Sequence, residues 1–194
     1  MIGPVEERFL VSRIGEYVDS DKPRMLDVGC GYGSFGMLFN GGLGLYVGVD
    51  VDVDLLECGN KAKNYHHPNL NHLHLINGDA RKLPVVGPYE IVLFSQSWHH
   101  IACEFGDGHR ALEEADRVLA DGGIIAIVEP TWQALRGLKF YDESSPAYDE
   151  EMALYKQRQF EAAEIVIDQC ELFSVAERKV CESGNPDLTI LRRA

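Results

Sequence analysis

The sequence predicts a three-layer, doubly wound α/β fold in which helices cover both faces of a mostly parallel sheet. Short apolar runs recur at 24–28, 45–49, 73–76, 91–95 and 124–128, and each stops at a glycine, an acid or a polar loop. Between several of them, apolar residues return at helical rather than alternating spacing, the pattern expected of strand–helix–strand units. Directly after the first run come Gly29, Gly31, Gly33 and Gly36, a spacing that suits a strand turning tightly into a helix.

The chain opens on a predicted helix over 4–19, with Leu10, Val11, Ile14, Tyr17 and Val18 on one stripe that leans on the sheet. The first strand ends at Val28. Its glycines allow backbone to approach a ligand closely, and the helix beginning near Ser34 offers unpaired N–H groups and a positive dipole end. Gly31-Tyr32-Gly33-Ser34-Phe35-Gly36 also satisfies the dinucleotide-binding pattern, with Asp50 at the spacing of a ribose-binding acid. Asp27 argues against a dinucleotide, because a carboxylate on the strand just before the first glycine repels a pyrophosphate and favours an ammonium.

LDVGCGYGSFG, residues 26–36, resembles the first motif of class I S-adenosylmethionine-dependent methyltransferases, and later segments agree with that family in order and spacing over about residues 24–130. The resemblance implies a Rossmann-like sheet of seven strands, mostly parallel with an antiparallel last strand. It implies that S-adenosylmethionine is held by Asp27, Gly29, Gly31 and Gly33, and S-adenosylhomocysteine released. It also implies a leading helix that closes the donor pocket and brings Tyr17 near the cofactor, whereas burial statistics favour a core tyrosine.

The second strand, 45–49, delivers Asp50 to the ribose hydroxyls, with Val51 beside it, and Asp52 or Asp54 is placed to cap the next helix. The third strand, 73–76, leads into Asn77-Gly78-Asp79-Ala80, which is similar to the family's G-D-A segment; there the acid takes the adenine amino group and the next residue meets the ring. The fourth strand, 91–95, opens into Ser95-Gln96-Ser97-Trp98-His99-His100. Open parallel sheets bind ligands beyond the carboxyl ends of their strands, so Ser95 and Gln96 are expected over the cofactor and Trp98 beside the acceptor. Asp107 is expected to cap a helix with Ala111, Leu112, Ala115, Val118 and Leu119 on one face; Asp121-Gly122-Gly123 ends it before the fifth strand. Residues 131–160 are expected to cover the active site, a long helix to run over 149–170, and strands over 173–181 and 188–192 to form a final hairpin.

Composition narrows the functions. The 194 residues, 45% hydrophobic, suit one domain spanning 1–194. A net charge of −13 disfavours nucleic acid, whose phosphates call for Lys and Arg. Five scattered cysteines without a C-x-x-C pair point to reduced thiols in a cytoplasm, and no apolar run approaches the ~20 residues of a membrane span. Seven histidines lack metal-ligand spacing, so no metal site is expected. A small molecule is the expected partner, no membrane partner is expected, and a homodimer is compatible with the sequence.

The reaction so implied is in-line methyl transfer to a small molecule. His99 and His100 are the candidate bases, since imidazole titrates near neutrality. Trp98, Glu129, Trp132, Phe140 and Tyr141 are the candidate acceptor contacts, and Glu129 is also placed to meet the donor's amino group. The loop lacks the N-P-P-Y or D-P-P-Y type sequence of enzymes that methylate amines of nucleic acids or glutamine. Two alternatives remain: an oxidoreductase on a dinucleotide, which leaves Asp27 and the G-D-A segment unaccounted for, and a methyltransferase-like binding protein without catalysis.

Overall fold

A computed structural model describes residues 10, 12–38, 42–104, 106–129, 146–179 and 187–194, with side chains of 104 and 146–156 omitted. Its strands are β1 (Arg24–Val28), β2 (Leu45–Asp50), β3 (Leu73–Asn77), β4 (Tyr89–Ser95), β5 (Leu119–Glu129), β6 (Phe173–Lys179) and β7 (Asp187–Arg193). The helices are α1 (Ser34–Leu38), α2 (Val53–His66), α3 (Gly108–Val118) and α4 (Pro146–Asp168), with a π-helical turn at His100–Glu104. One sheet of order β3-β2-β1-β4-β5-β7-β6 joins all seven strands. β1 to β5 pair in parallel, and β7 runs antiparallel between β5 and β6. This is the predicted seven-stranded fold.

Alternation along the strands sorts the core into two clusters. Leu26, Val28, Val47, Val49, Val92 and Phe94 pack with the β3–β4 connection, α3 and α4. Met25, Tyr46, Ile91, Leu93, Ala126 and Val128 pack with the leading segment and α1. The order reverses between β1 and β4, so the crevice at their carboxyl ends is the topological switch point, where open sheets bind ligands.

Several boundaries move. β5 begins at Leu119, because the strand first pairs with Tyr89 and then, after a shift in register, resumes as Ile91 opposite Ile124. Asp121-Gly122-Gly123, with Asp121 and Gly122 exposed, Gly123 buried and Gly122 at φ 73°, takes up the difference. α4 starts at Pro146, earlier than the expected 149, and stops at Asp168. The strand expected over 173–181 is described to Lys179, and the hairpin connection lies outside the described residues. Asp52 is the cap of α2, accepting from the N–H groups of Asp54 and Leu55 at 3.0 and 3.1 Å. Asp107 holds the N-cap position of α3 but makes no side-chain cap bond.

Tyr17 is away from the donor crevice. Its hydroxyl donates to Glu177 on β6, Arg13 and Arg192 lie over its ring, and its carbonyl accepts from Arg192 on β7. The leading segment is therefore pinned against the β6–β7 end of the sheet.

Candidate active site

Asp27, Asp50 and Asp79 come from the ends of three adjacent strands. Asp27 is on β1, Asp50 closes β2, and Asp79 lies two residues past Asn77, which pairs with Asp50 in the β2–β3 register. Asn77 stitches these ends together by donating from its amide to the carbonyls of Asp50 and Val51, both at 3.0 Å. The Gly78 N–H also donates to the Asp50 carbonyl at 2.9 Å.

The glycine loop folds tightly against β2 and the segment after β4. A Cβ on Gly29 would sit 2.4 Å from the Cβ of Ser97, and Gly29 has φ 74°, so both space and backbone geometry require glycine. Ser97 itself is buried and donates to the Val28 carbonyl at 2.6 Å, which holds the post-β4 segment directly on the loop. Gly31, at φ 53°, differs in its surroundings: a Cβ there would find no atom nearer than 3.9 Å, from Leu55. Open space lies over this peptide, as a cofactor needs.

Asp50 accepts from the Gly31 N–H at 2.7 Å and from the Asp52 N–H at 2.9 Å. A carboxylate has about four acceptor positions, so two remain for hydroxyl donors. Val51 is exposed next to it. Asp79 and Ala80 are half-buried, and the Asp79 carboxylate is forked by Arg81, which holds it below its ordinary range.

Asp27 is placed differently from the expectation. It is 1% exposed, one oxygen accepts from the Tyr46 hydroxyl at 2.5 Å, and the other is buried without a partner. Burial raises its pKa from 3.8 to about 7, with the Tyr46 bond opposing and Asp50 adding to the rise. The acid lies behind the glycine loop and does not line an open surface. Tyr46 was not singled out in the sequence, although Met25–Tyr46 pairing sets it diagonally across from Asp27 on one sheet face.

Beyond β4, Ser95 and Gln96 lie at the strand end, Gln96 at φ 56° with its N–H donating to Val128 at 2.7 Å. Trp98 is not an acceptor contact. It is 1% exposed, meets Phe94 edge-on at 5.2 Å, and donates from its indole N–H to the Ala163 carbonyl on α4 at 3.1 Å. Trp98, Ile101 and Ala102 are all buried at helical spacing, a signal present in the sequence that marks one face of a short helical turn.

His99 is buried as well, and it is the ring that β5 engages. Its Nδ1 is 2.6 Å from one Glu129 oxygen, and its backbone N–H donates to the other at 3.1 Å. An ionised carboxylate only accepts, so in this contact Nδ1 is the donor. Nε2 has no hydrogen-bond partner among the described residues. The ring packs against His100 at 4.0 Å and Phe160 of α4 at 4.6 Å between centroids. Glu129 thus serves His99, where a direct contact to acceptor or donor was expected. Parallel pairing of Ser95 with Val128 brings the two together, a juxtaposition no local motif announces. Trp132, Phe140 and Tyr141, and the 131–145 part of the expected cover, lie outside the described residues.

Among the described residues, no group of three or more His, Cys, Asp or Glu is arranged to hold a metal, and no helix is long and apolar enough to cross a membrane.

The profile of the methyltransferase domain family matches residues 26–127, the stretch from the glycine loop through β5. The chain belongs to this family. By family and fold it is a class I methyltransferase domain of the S-adenosylmethionine-dependent type. A demethylmenaquinone methyltransferase from Staphylococcus haemolyticus is 32% identical over 114 residues, covering 55% of this chain and 43% of that protein. The chain therefore matches less than half the length of that relative. An S-adenosylmethionine-dependent methyltransferase from Clostridium acetobutylicum superposes with a TM-score of 0.69 at 10% identity, covering 100% of this chain and 93% of the other. A Podospora anserina methyltransferase solved with S-adenosylhomocysteine superposes equally, TM-score 0.69 at 15% identity, covering 100% and 80% of the two chains.

Proposed function

We propose that this protein transfers a methyl group from S-adenosylmethionine to a small-molecule acceptor, and that a hydroxylated aromatic ring is the acceptor class to try first. The observation that carries the reading is the buried His99–Glu129 pair, set two residues beyond the Ser97 that packs on Gly29. A candidate base close in sequence to the segment that packs on the glycine loop supports this reading.

The residues fit that cofactor. The open face of Gly31, the spare acceptor positions of Asp50 and the acid at Asp79 suit a ligand with a ribose and an amino-bearing base but no phosphate. When bound, S-adenosylmethionine supplies a methyl group already activated on a sulfonium. The protein's share is alignment and water exclusion, and orientation alone is worth about 7–11 kcal/mol in favourable cases. Asp50 orients the ribose, Gly31 admits the ligand against backbone, and Gly29 and Gly33 shape the cradle by letting the loop close on Ser97 and Leu75. Val51 packs on the adenine, Ala80 meets its edge, and Ser95 and Gln96 border the cofactor from the β4 side.

Glu129 holds the proton of His99 on Nδ1, so that Nε2 takes the proton of an acceptor hydroxyl as the oxygen becomes nucleophilic. His100 and Phe160 supply rings against which a planar acceptor stacks. One relative is named a demethylmenaquinone methyltransferase, which supports placing quinone-type rings on the list of acceptors to try. The four described cysteines, Cys30, Cys58, Cys103 and Cys170, are free, which suits a cytoplasmic enzyme.

The test is formation of S-adenosylhomocysteine from S-adenosylmethionine with a panel of hydroquinones, phenols, amines and carboxylic acids. Turnover with hydroquinones or phenols, lost by at least ~100-fold in His99→Ala and partly kept in Glu129→Gln, is expected. Calorimetric binding of NAD with none of S-adenosylmethionine would overturn the reading. So would donor binding without turnover on any member of the panel.

A further inference from the structure

Arg81 was not among the residues singled out from the sequence, yet it makes more charged contacts at the cofactor edge than any predicted site residue. Its backbone N–H and Nε donate to one Asp79 oxygen at 2.8 and 2.9 Å, and Nη2 donates to the other at 2.6 Å, with Nε also 3.1 Å from that second oxygen. From the same guanidinium, Nη1 reaches Asp107 at 3.1 Å. This contact explains why Asp107 leaves α3 without a side-chain cap: its carboxylate is turned toward Arg81.

As a stabilising device this bridge is weak. The side chains of Arg81, Asp79 and Asp107 are 41%, 39% and 48% exposed, and ion pairs in such settings contribute little because water and salt screen them. What a planar fork does supply is direction, since it fixes both the plane and the rotamer of the carboxylate that it grips. The count of acceptor positions is informative too. Three N–H groups of Arg81 occupy three of the roughly four positions of the Asp79 carboxylate, leaving one.

We infer that Arg81 is a positioning residue for recognition of the base: it aims the one vacant lone pair of Asp79 at the exocyclic amino group of the adenosyl cofactor, while Asp107 anchors the guanidinium to the start of α3. The inference rests on the proposed placement of adenine at Asp79. It goes beyond that placement in assigning the selectivity for a 6-amino over a 6-oxo purine to a residue that never touches the ligand. A carboxylate so aimed accepts from an amino group and repels a carbonyl oxygen at the same position.

The test compares S-adenosylhomocysteine with its deaminated counterpart, S-inosylhomocysteine, by titration calorimetry on the full chain. The unaltered protein is expected to prefer the amino compound at least tenfold. Arg81→Ala should weaken S-adenosylhomocysteine five- to twentyfold and leave the 6-oxo compound within twofold, collapsing the preference. Arg81→Lys keeps the charge without the fork and should restore only part of it. With Asp79→Asn as background, removing Arg81 should cost nothing further.

Arg81→Ala and Arg81→Lys proteins that keep the full preference would overturn the inference, as would loss of affinity for both compounds by the same factor, the mark of a purely structural role. An unaltered protein that binds S-adenosylhomocysteine without discriminating against the 6-oxo compound overturns the adenine placement at Asp79. One that binds neither compound overturns the cofactor reading itself.

Discussion

Asp27 is an acid that folding has carried out of reach of water. Its neighbours offer one hydrogen bond, from Tyr46, to a group able to accept several, and the cost of the stranded charge is expressed as the rise of its pKa from 3.8 to about 7. The folded protein therefore holds a proton that the unfolded chain releases between these values. Stability is full below about 3.8 and is lost as the pH climbs through about 7. Asp27→Asn removes the ionisation while an amide oxygen still accepts from Tyr46. The variant should be more stable than the parent by about 2–4 kcal/mol near pH 8 and by less than about 1 near pH 4, read from urea unfolding at the two pH values. Equal stabilities at pH 8 would mean that the Asp27 charge is satisfied in solution. The same residue shows what the sequence makes legible at this scale. The position of an acid before a glycine loop could be read from its neighbours in the chain, but the side chain opposite it, Tyr46, is set by strand register. His99 and Glu129, thirty residues apart, meet for the same reason.

At the scale of elements, α4 and the turn after β4 form one unit. The Trp98 indole N–H donates to Ala163, the Cys103 thiol donates to the Gln159 carbonyl at 2.8 Å, and Phe160 lies on the His99 ring. Truncating Trp98 to Ala should cost about 3–5 kcal/mol of stability, the usual range for a large buried aromatic, whereas Trp98→Phe keeps most of the ring and should cost about 1. Both losses are measurable by chemical denaturation, and in Trp98→Phe the acceptor KM should stay within about twofold because the side chain faces the core. A KM shift of tenfold or more, with stability unchanged, would return Trp98 to the acceptor site. The five parallel strands were legible because apolar runs of strand length each stop where the buried sheet must end. β5 was read too short because Asp121-Gly122-Gly123 has the composition of a helix stop. In the sheet those residues bulge out, and the strand on either side of them belongs to one ladder.

For the molecule as a whole, the net charge of −13 sets a field into which the donor and its demethylated product enter differently. S-adenosylmethionine carries the sulfonium charge, and S-adenosylhomocysteine lacks both that charge and the transferred methyl group. Asp50 and Asp79 lie at the crevice, and no lysine or arginine other than Arg81 is hydrogen-bonded to either of them among the described residues. In the ratio of the two affinities the ribose, base and amino acid contacts cancel, and its dependence on salt separates the electrostatic part from the contact made by the methyl group. Raising the ionic strength from about 0.01 M to about 1 M shortens the screening length from about 30 to about 3 Å. S-adenosylmethionine should then weaken several-fold relative to S-adenosylhomocysteine, with most of the change in its association rate, since long-range attraction acts before contact. Calorimetry and stopped-flow binding across that salt range measure both quantities. An affinity ratio that stays constant would show that the acidic surface is arranged away from the crevice and that local contacts alone discriminate between the charged and the uncharged sulfur.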